Sequence, residues 1–519
     1  MENVSILWAD DEIELLKPHL IFLQEKGYVV QTANNGQDAL DLVRERHFDL
    51  VLLDENMPGM GGLETLAEIK AQRPELPVVM VTKSEEEHIM ESAIGGKIAD
   101  YLIKPVRPTQ LLMSVKKIID SRRLVQEQSS QQYIREFREI GMRIGGRMNF
   151  MDWDDVYRKL VYWEMELDNS NAEQMQDIFS SQKEEANREF NKFIIKNYKN
   201  WLKSEPGKDA PIMSHTLLKN KLFNLLKDEK PTFLLLIDNL RYDQWKAIQP
   251  AITNLFRMEE ESSFYSILPT VTQYSRNSIF AGMMPLEIQK KYPDMWKMDD
   301  DEEGKNMHEG DFLTGLLKST FREDIKHQYV KITNHHNGEL LENNILNYMS
   351  NKLTVIVYNF VDMLSHARTE MEVLKELAGD EAAYRSLAVS WFEHSSLHNA
   401  LKKLAEKNIN LLITTDHGTV RVNRPSKCVG DRQTTTNIRY KSGKNLAYED
   451  KDVFAVKNPD EIMLPKGNLT SSYIFAKEQN YLVYTNNYNH FANMYRNTFQ
   501  HGGISLEEII VPVITLRSK

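Results

Sequence analysis

Six residues suited to divalent metal chemistry stand far apart in this chain: Asp238, Asp362, His366, Asp416, His417 and His501. Apolar runs that read as buried strands lead to the first five. TFLLLID ends at Asp238, LTVIVYNFVD ends at Asp362 with His366 just beyond, and INLLITTDHG contains Asp416 and His417. His501 lies in the loop QHGG, ahead of a further apolar run, EEIIVPVITL. In an open, largely parallel α/β sheet the carboxyl ends of the strands share one edge, where acids and imidazoles distant in sequence converge. Asp362 and His366 are spaced i, i+4, which puts both on one face of a helix starting near Asp362. Three carboxylates and three imidazoles without a thiolate favour Zn²⁺, with Mn²⁺ as the alternative, and they suit two ions better than one. A single Asp-His pair is more often a capped turn; the ensemble carries the reading.

Hydroxyls stand near the same constellation. LPTVTQYSRNSIF (268–280) offers Thr270, Thr272, Ser275 and Ser278 just before an amphipathic run. A hydroxyl at a helix N-terminus that also touches a metal becomes a usable nucleophile, and the helix dipole favours an incoming phosphate. Arg241, Arg276 and a basic strip from Arg421 to Lys444 are the candidate holders of phosphate oxygens. The strip has seven basic residues, Lys427 among them, against the single acid Asp431.

A different chemistry occupies the first 120 residues. Strand-like runs VSILWA, YVVQTA, DLVLLD, VVMVT and ADYLIKP alternate with helical periodicity, which predicts a doubly wound parallel sheet. Right-handed crossovers place all the strand ends on one edge. Asp10, Asp11 and Asp54 meet there, a carboxylate cluster that repels itself unless a hard cation such as Mg²⁺ sits in it. Lys104 and Thr82 supply a positive charge and a hydroxyl able to meet phosphoryl oxygens.

These elements fit an α/β multidomain chain of three parts: a doubly wound α/β domain over 1–120, a helical linker or bundle over 121–229, and a large α/β domain over 230–519. In the middle part, Ser170–Asn171–Ala172–Glu173 fits a capping box. The helix after it places Met175, Phe179, Ala186, Phe190, Phe193 and Ile194 on one face. No helix-turn-helix with a basic recognition helix is evident, and 64 Lys and Arg against 75 Asp and Glu give a formal charge of −11. Both observations disfavour direct duplex-DNA binding. One cysteine, Cys428, excludes an internal disulfide framework. The absence of a signal-like start or of a run near the ~20 residues that span a bilayer predicts a cytoplasmic protein without membrane insertion.

The N-terminal motifs, the DD pair, LLDENMPGMGG, VMVTKS and the KP dipeptide, resemble the receiver domain of bacterial response regulators. That resemblance implies phosphorylation of Asp54 by a sensor histidine kinase. It further implies Mg²⁺ held by Asp11, Asp54 and the main-chain carbonyl of Asn56, with Asp10 acting through water. Thr82, Tyr101 and Lys104 would be the switch residues. From 230 onward, LLLIDNLRYDQW, LPTVTQYSR, YNFVDMLSH, TTDHG and QHGGISLEEIIVP resemble the PglZ branch of the alkaline phosphatase superfamily. The branch implies one zinc on Asp362, His366 and His501 and another on Asp238, Asp416, His417 and the nucleophile. It selects Thr272 as that nucleophile, with Thr270 the fallback. The whole arrangement resembles the PorX-like response regulators, a group linked to type IX secretion.

The expected function is a response regulator controlling a di-zinc phosphodiesterase, with nucleotide or oligonucleotide diesters as substrates and a homodimer formed on phosphorylation. A phosphomonoesterase is the first alternative. The second is a phospho-switched adaptor with structural zinc whose partner is a transcription factor or a secretion component.

Overall fold

The structure is a computed structural model. It describes residues 4–83, 98–169, 173–299, 301, 304–359, 361, 379–431, 434–468 and 470–519, with side chains at 120–130, 169, 173 and 174 left aside. The expected metal ligands Asp362 and His366, the basic residue Arg432 and the capping box at Ser170–Ala172 lie outside the described residues.

The chain divides into two compact units, Met1–Gln132 and Tyr133–Lys519. In the first, β1 (Ser5–Ala9), β2 (Val29–Ala33), β3 (Leu50–Asp54), β4 (Val78–Thr82) and β5 (Asp100–Ile103) form a parallel sheet of order β2-β1-β3-β4-β5. β3 and β4 are buried along their whole length. That is why they read as unbroken apolar runs: helices cover both faces of such a sheet. Order reverses beside β1, and the carboxyl ends of β1 and β3 flank that switch point, where ligands of such sheets bind.

The second unit is built on a six-stranded mixed sheet. Its strands are β6 (Thr232–Ile237), β7 (Phe256–Tyr265), β8 (His327–Ile332), β9 (Leu353–Tyr358), β10 (Asn410–Thr414) and β19 (Ile510–Ser518), in the order β7-β19-β10-β6-β9-β8. β10, β6, β9 and β8 run parallel, while β19 is antiparallel to both β10 and β7. Between β10 and β19 lie three small sheets. β11 (Val420–Val422) pairs with β18 (Thr498–Gln500). β12 (Arg424–Val429) lies between β14 (Ala447–Tyr448) and β17 (Asn480–Tyr484). β16 (Ser472–Ala476) lies between β13 (Tyr440–Gly443) and β15 (Val453–Val456).

The linker or bundle helices beyond Gln132 share one hydrophobic core with this sheet. Linker helices Phe150–Asn169 and Glu173–Trp201 bury Trp153, Trp163, Phe179, Ala186, Phe190 and Ile194 in the same cluster as Leu234, Leu236 and Ile514. The contact is largely aromatic: Trp201 and Phe190 meet Tyr265 of β7 with ring centroids 5.6 and 6.2 Å apart. Full burial of each such side chain contributes about 1.5–3 kcal/mol, so linker and sheet are held together by an ordinary core. Among the described residues no helix is long and apolar enough to cross a membrane.

Candidate active site

β6 and β10 run side by side and end together, and each delivers a carboxylate. Asp238 follows the last residue of β6, and the chain then turns sharply through Asn239, which has φ 64°. Asparagine tolerates that left-handed conformation better than most residues. The turn is fixed to the neighbouring strand end: the Asn239 amide donates to Asp416 Oδ1 at 3.3 Å and the Leu240 amide to Thr415 Oγ1 at 3.0 Å. Ser266 and Ser275 both donate to the Asp416 carbonyl, at 2.8 and 2.7 Å. Asp238, Asp416 and His417 are all buried, and their ligand atoms lie within 4.8 Å of one another. His501 follows β18 directly, and its ring stacks on His417 with centroids 4.3 Å apart.

The electrostatics call for a cation. Burial first, and then the adjoining Asp238 carboxylate, push the Asp416 carboxyl well above the usual range. Burial also acts to raise Asp238, but the Arg276 guanidinium and then His417 hold it below its ordinary value. Two buried carboxylates this close are not both ionised without a counter-charge. Asp416 Oδ2, buried and without a hydrogen-bond partner, is an available ligand atom. The donor set of carboxylates and imidazoles therefore fits zinc or a similar divalent ion. His501 Nδ1 lies 3.3 Å from the Thr270 carbonyl, which ties the ring to the segment that carries Thr272.

Thr272 is the first residue of the helix Thr272–Ala281. Its Oγ1 lies 3.1 Å from His417 Nε2 and 3.4 Å from Asp238 Oδ1. The other hydroxyls of the segment are engaged elsewhere or buried. Thr270 Oγ1 donates to the Gly503 carbonyl and accepts from the Gly502 amide, Ser275 is bonded as above, and Ser278 is buried within the helix packing. Thr270 thus braces the His501 loop while Thr272 faces the cluster.

The arginines expected at substrate oxygens are placed otherwise. Arg276 is 1% exposed; it donates to Asp238 Oδ2 at 2.9 Å and to Glu309 Oε1 at 2.6 Å. Arg241 is equally buried, bonded to Asp243 and Glu381, with its guanidinium over Tyr384 and Phe499. Burial and pairing argue against substrate contact for both and make them supports of the ligand loops. The basic strip is largely consumed in the same way. Arg439 is fully buried against Glu508, whose Oε1 also accepts from the Gly503 amide at 2.8 Å. Lys441 is buried over Tyr484, its amine pushed down to about 8 by burial. Arg424 pairs with Glu184 and Glu478. Lys427 remains exposed, over the Tyr488 ring.

Glu309, Glu508 and Asn239 also support the site; Asn239 and Glu508 stand inside the motifs LLLIDNLRYDQW and QHGGISLEEIIVP, but the motifs gave them no role. Each acts through a partner fixed only by the fold, so spacing carried no signal for it.

At the edge of the first unit, Asp10 and Asp54 are buried, Asp11 is exposed, and the three lie within 4.8 Å of one another. Lys104 Nζ stands 2.6 Å from Asp10 and 3.1 Å from Asp54. Burial raises the Asp54 carboxyl, with Lys104 opposing. Thr82 is buried at the end of β4, Tyr101 is half-buried on β5, and Asn56 is exposed beyond β3.

Three family models match the chain. Residues 6–116 match the response regulator receiver domain, 123–202 the PorX response regulator linker domain, and 217–516 the BREX system PglZ alkaline phosphatase-like domain. The transcriptional regulatory protein ZraR of Klebsiella oxytoca is 36% identical over 140 residues, covering 27% of this chain and 32% of that protein. ResD of Bacillus subtilis (strain 168) is 31% identical over 117 residues, covering 22% of this chain and 48% of that protein. The chain thus spans about a third to a half of the length of these curated relatives. A CheY-like receiver domain protein from Methanospirillum hungatei JF-1 aligns over 23% of this chain and 96% of its own, at 28% identity and a TM-score of 0.23. With the PglZ match running across more than half of its length, behind a receiver and a PorX-type linker, the chain belongs to the BREX system PglZ alkaline phosphatase-like domain family.

Proposed function

We propose that this protein is a cytoplasmic response regulator in which a sensor histidine kinase phosphorylates Asp54 and thereby controls a zinc-dependent phosphodiesterase. The substrates are nucleotide or oligonucleotide diesters, and the setting is regulation of type IX secretion, as in the PorX-like group the chain resembles. One observation carries the enzymatic part: Thr272 Oγ1, at a helix N-terminus, lies 3.1 Å from His417 and 3.4 Å from Asp238.

One zinc would be held by Asp238, Asp416, His417 and Thr272, and a second by Asp362, His366 and His501. When bound, such ions supply Lewis-acid stabilisation of the attacking and leaving oxygens. Thr272 attacks phosphorus, its oxygen forms the new P–O bond, the bond to the leaving alcohol breaks, and the hydroxyl proton departs with that alcohol. Water then cleaves the nucleotidyl-threonine diester at its threonine P–O bond, which releases a phosphate monoester and frees Thr272 for another cycle. The first turn of the Thr272 helix favours the phosphate's negative charge. Arg276 keeps Asp238 ionised and aimed.

In the receiver, Mg²⁺ would sit among Asp10, Asp11, Asp54 and the Asn56 carbonyl. A phosphoryl group on Asp54 adds negative charge beside Asp10 and Asp11; Lys104 and Thr82 are the groups placed to meet it, and Tyr101 follows. Phosphorylation then produces a homodimer. Light scattering at matched concentration should show about a doubling of mass when beryllofluoride is added to wild type, and no change in Asp54→Ala. An unchanged wild-type mass would remove the proposed readout.

A further inference from the structure

The linker contributes charge as well as apolar surface to the second unit. Lys183, on the helix Glu173–Trp201, places its Nζ 2.9 Å from Glu164 on the preceding linker helix and 3.1 Å from Glu507. Burial works against its charge, but Glu164 and Glu507 hold it protonated. One turn further along, Asn187 accepts from the Leu506 amide at 2.8 Å and donates to Glu507 at 3.3 Å. The linker helix therefore grips the 506–507 turn through backbone and side chain together.

That turn touches both histidine-bearing loops. The Glu507 carbonyl packs so closely on Gly418 that a β-carbon there would collide with it, and the Gly418 amide donates to the Glu508 carbonyl at 3.3 Å. Gly418 directly follows His417. The Glu508 carboxylate holds the Gly503 amide, two residues beyond His501.

The second arm runs from Glu164 to Arg385 at 3.3 Å, from Arg385 to Asp243 at 3.0 Å, and from Asp243 to Arg241 at 2.8 Å. Arg241 caps the helix Tyr242–Thr253 just after the Asp238 turn, and its stem packs against Gly418. Both arms start at the linker and end on loops that carry Asp238, His417 and His501. An apolar seam would hold the linker at least as firmly as buried ion pairs do. What directional pairs add is a single register.

We infer that Lys183 is a positioning residue for the metal centre: by pairing Glu507 with Glu164 it sets the loops that carry Asp238, His417 and His501. The inference rests on the reading of those residues as metal ligands. The PorX-type linker is then part of the output site's machinery as well as a connector.

The test uses the full chain with Co²⁺ as the probe, read by its visible absorption and by chelator competition. Lys183→Met and Glu507→Gln should each weaken Co²⁺ affinity by about 10–100-fold, the usual cost of losing an outer partner of a ligand. Each should alter the absorption bands. The double variant should be no worse than either single one, because the two residues form one pair. If Lys183→Met does not fold, Glu507→Gln, which can still bond Asn187, decides in its place. Wild-type affinity and spectrum in a folded variant, or fully additive losses in the double variant, would overturn the inference while leaving the metal reading intact. A wild-type protein that fails to bind Co²⁺ would overturn both.

Discussion

Replacing Thr272 by valine should lower phosphodiester turnover by about 10³-fold or more, the scale at which removal of a nucleophile acts, with metal content and melting temperature close to wild type. Valine keeps the branched shape that starts the Thr272–Ala281 helix and removes only the oxygen facing His417 and Asp238. Thr270→Val makes the sharpest control. Thr270 is buried and bridges the Gly502 amide to the Gly503 carbonyl. Its loss should cost stability, about 1–3 kcal/mol for buried groups left unpaired, and lower turnover by less than about 10-fold. Single-turnover kinetics on both variants separates the roles. Abolished chemistry in Thr270→Val with near-normal chemistry in Thr272→Val would assign the nucleophile to the wrong threonine.

Asp416→Asn should separate metal binding from folding. In the wild-type cluster Asp416 and Asp238 are buried side by side, and Asp416 is driven towards its protonated form. Asparagine replaces a carboxyl that must otherwise take up a proton to be buried beside Asp238, so the metal-free variant should melt at or above the temperature of metal-free wild type. It should gain much less on adding zinc, because a ligand stabilises a fold in proportion to how tightly it binds. Elemental analysis should fall from about two zinc ions per chain to about one, the pattern expected of a two-metal site with one position disabled, and turnover should be lost with it. A variant that keeps both ions would remove Asp416 from the ligand set.

The fold was most legible where strands are buried on both faces. TFLLLI, LTVIVY and NLLIT are continuous apolar runs because helices cover the sheet, and each ends at the edge that carries the chemistry. β7 was not legible: FRMEEESSFY carries three consecutive glutamates, acceptable on an edge strand whose outer side meets solvent. The linker helices were readable as amphipathic, but the partner of their apolar face was not. Periodicity tells which side is buried and is silent about what covers it. Residue type also misled at Arg276, Arg241 and Arg439. An arginine beside phosphate chemistry suggests a substrate clamp, yet the fold buries each against a carboxylate remote in sequence or set by a turn. Thr272 and Thr270 differ by two residues in the same motif, and only the three-dimensional placement shows one facing the acids and the other bracing a loop.

A metal-dependent diester-cleaving centre built from Asp238, Asp416, His417 and Thr272 is the core of the proposed function. Its most direct test is to measure hydrolysis of bis-p-nitrophenyl phosphate and of p-nitrophenyl phosphate by one full-chain preparation, first stripped with chelator and then reloaded with zinc. Background rates are expected after stripping, with turnover restored on zinc addition and a preference for the diester. Zinc-restored activity confined to the monoester would make the protein a phosphomonoesterase. Zinc binding without turnover of either ester would contradict the claim of an enzyme and leave a phosphorylation-switched adaptor.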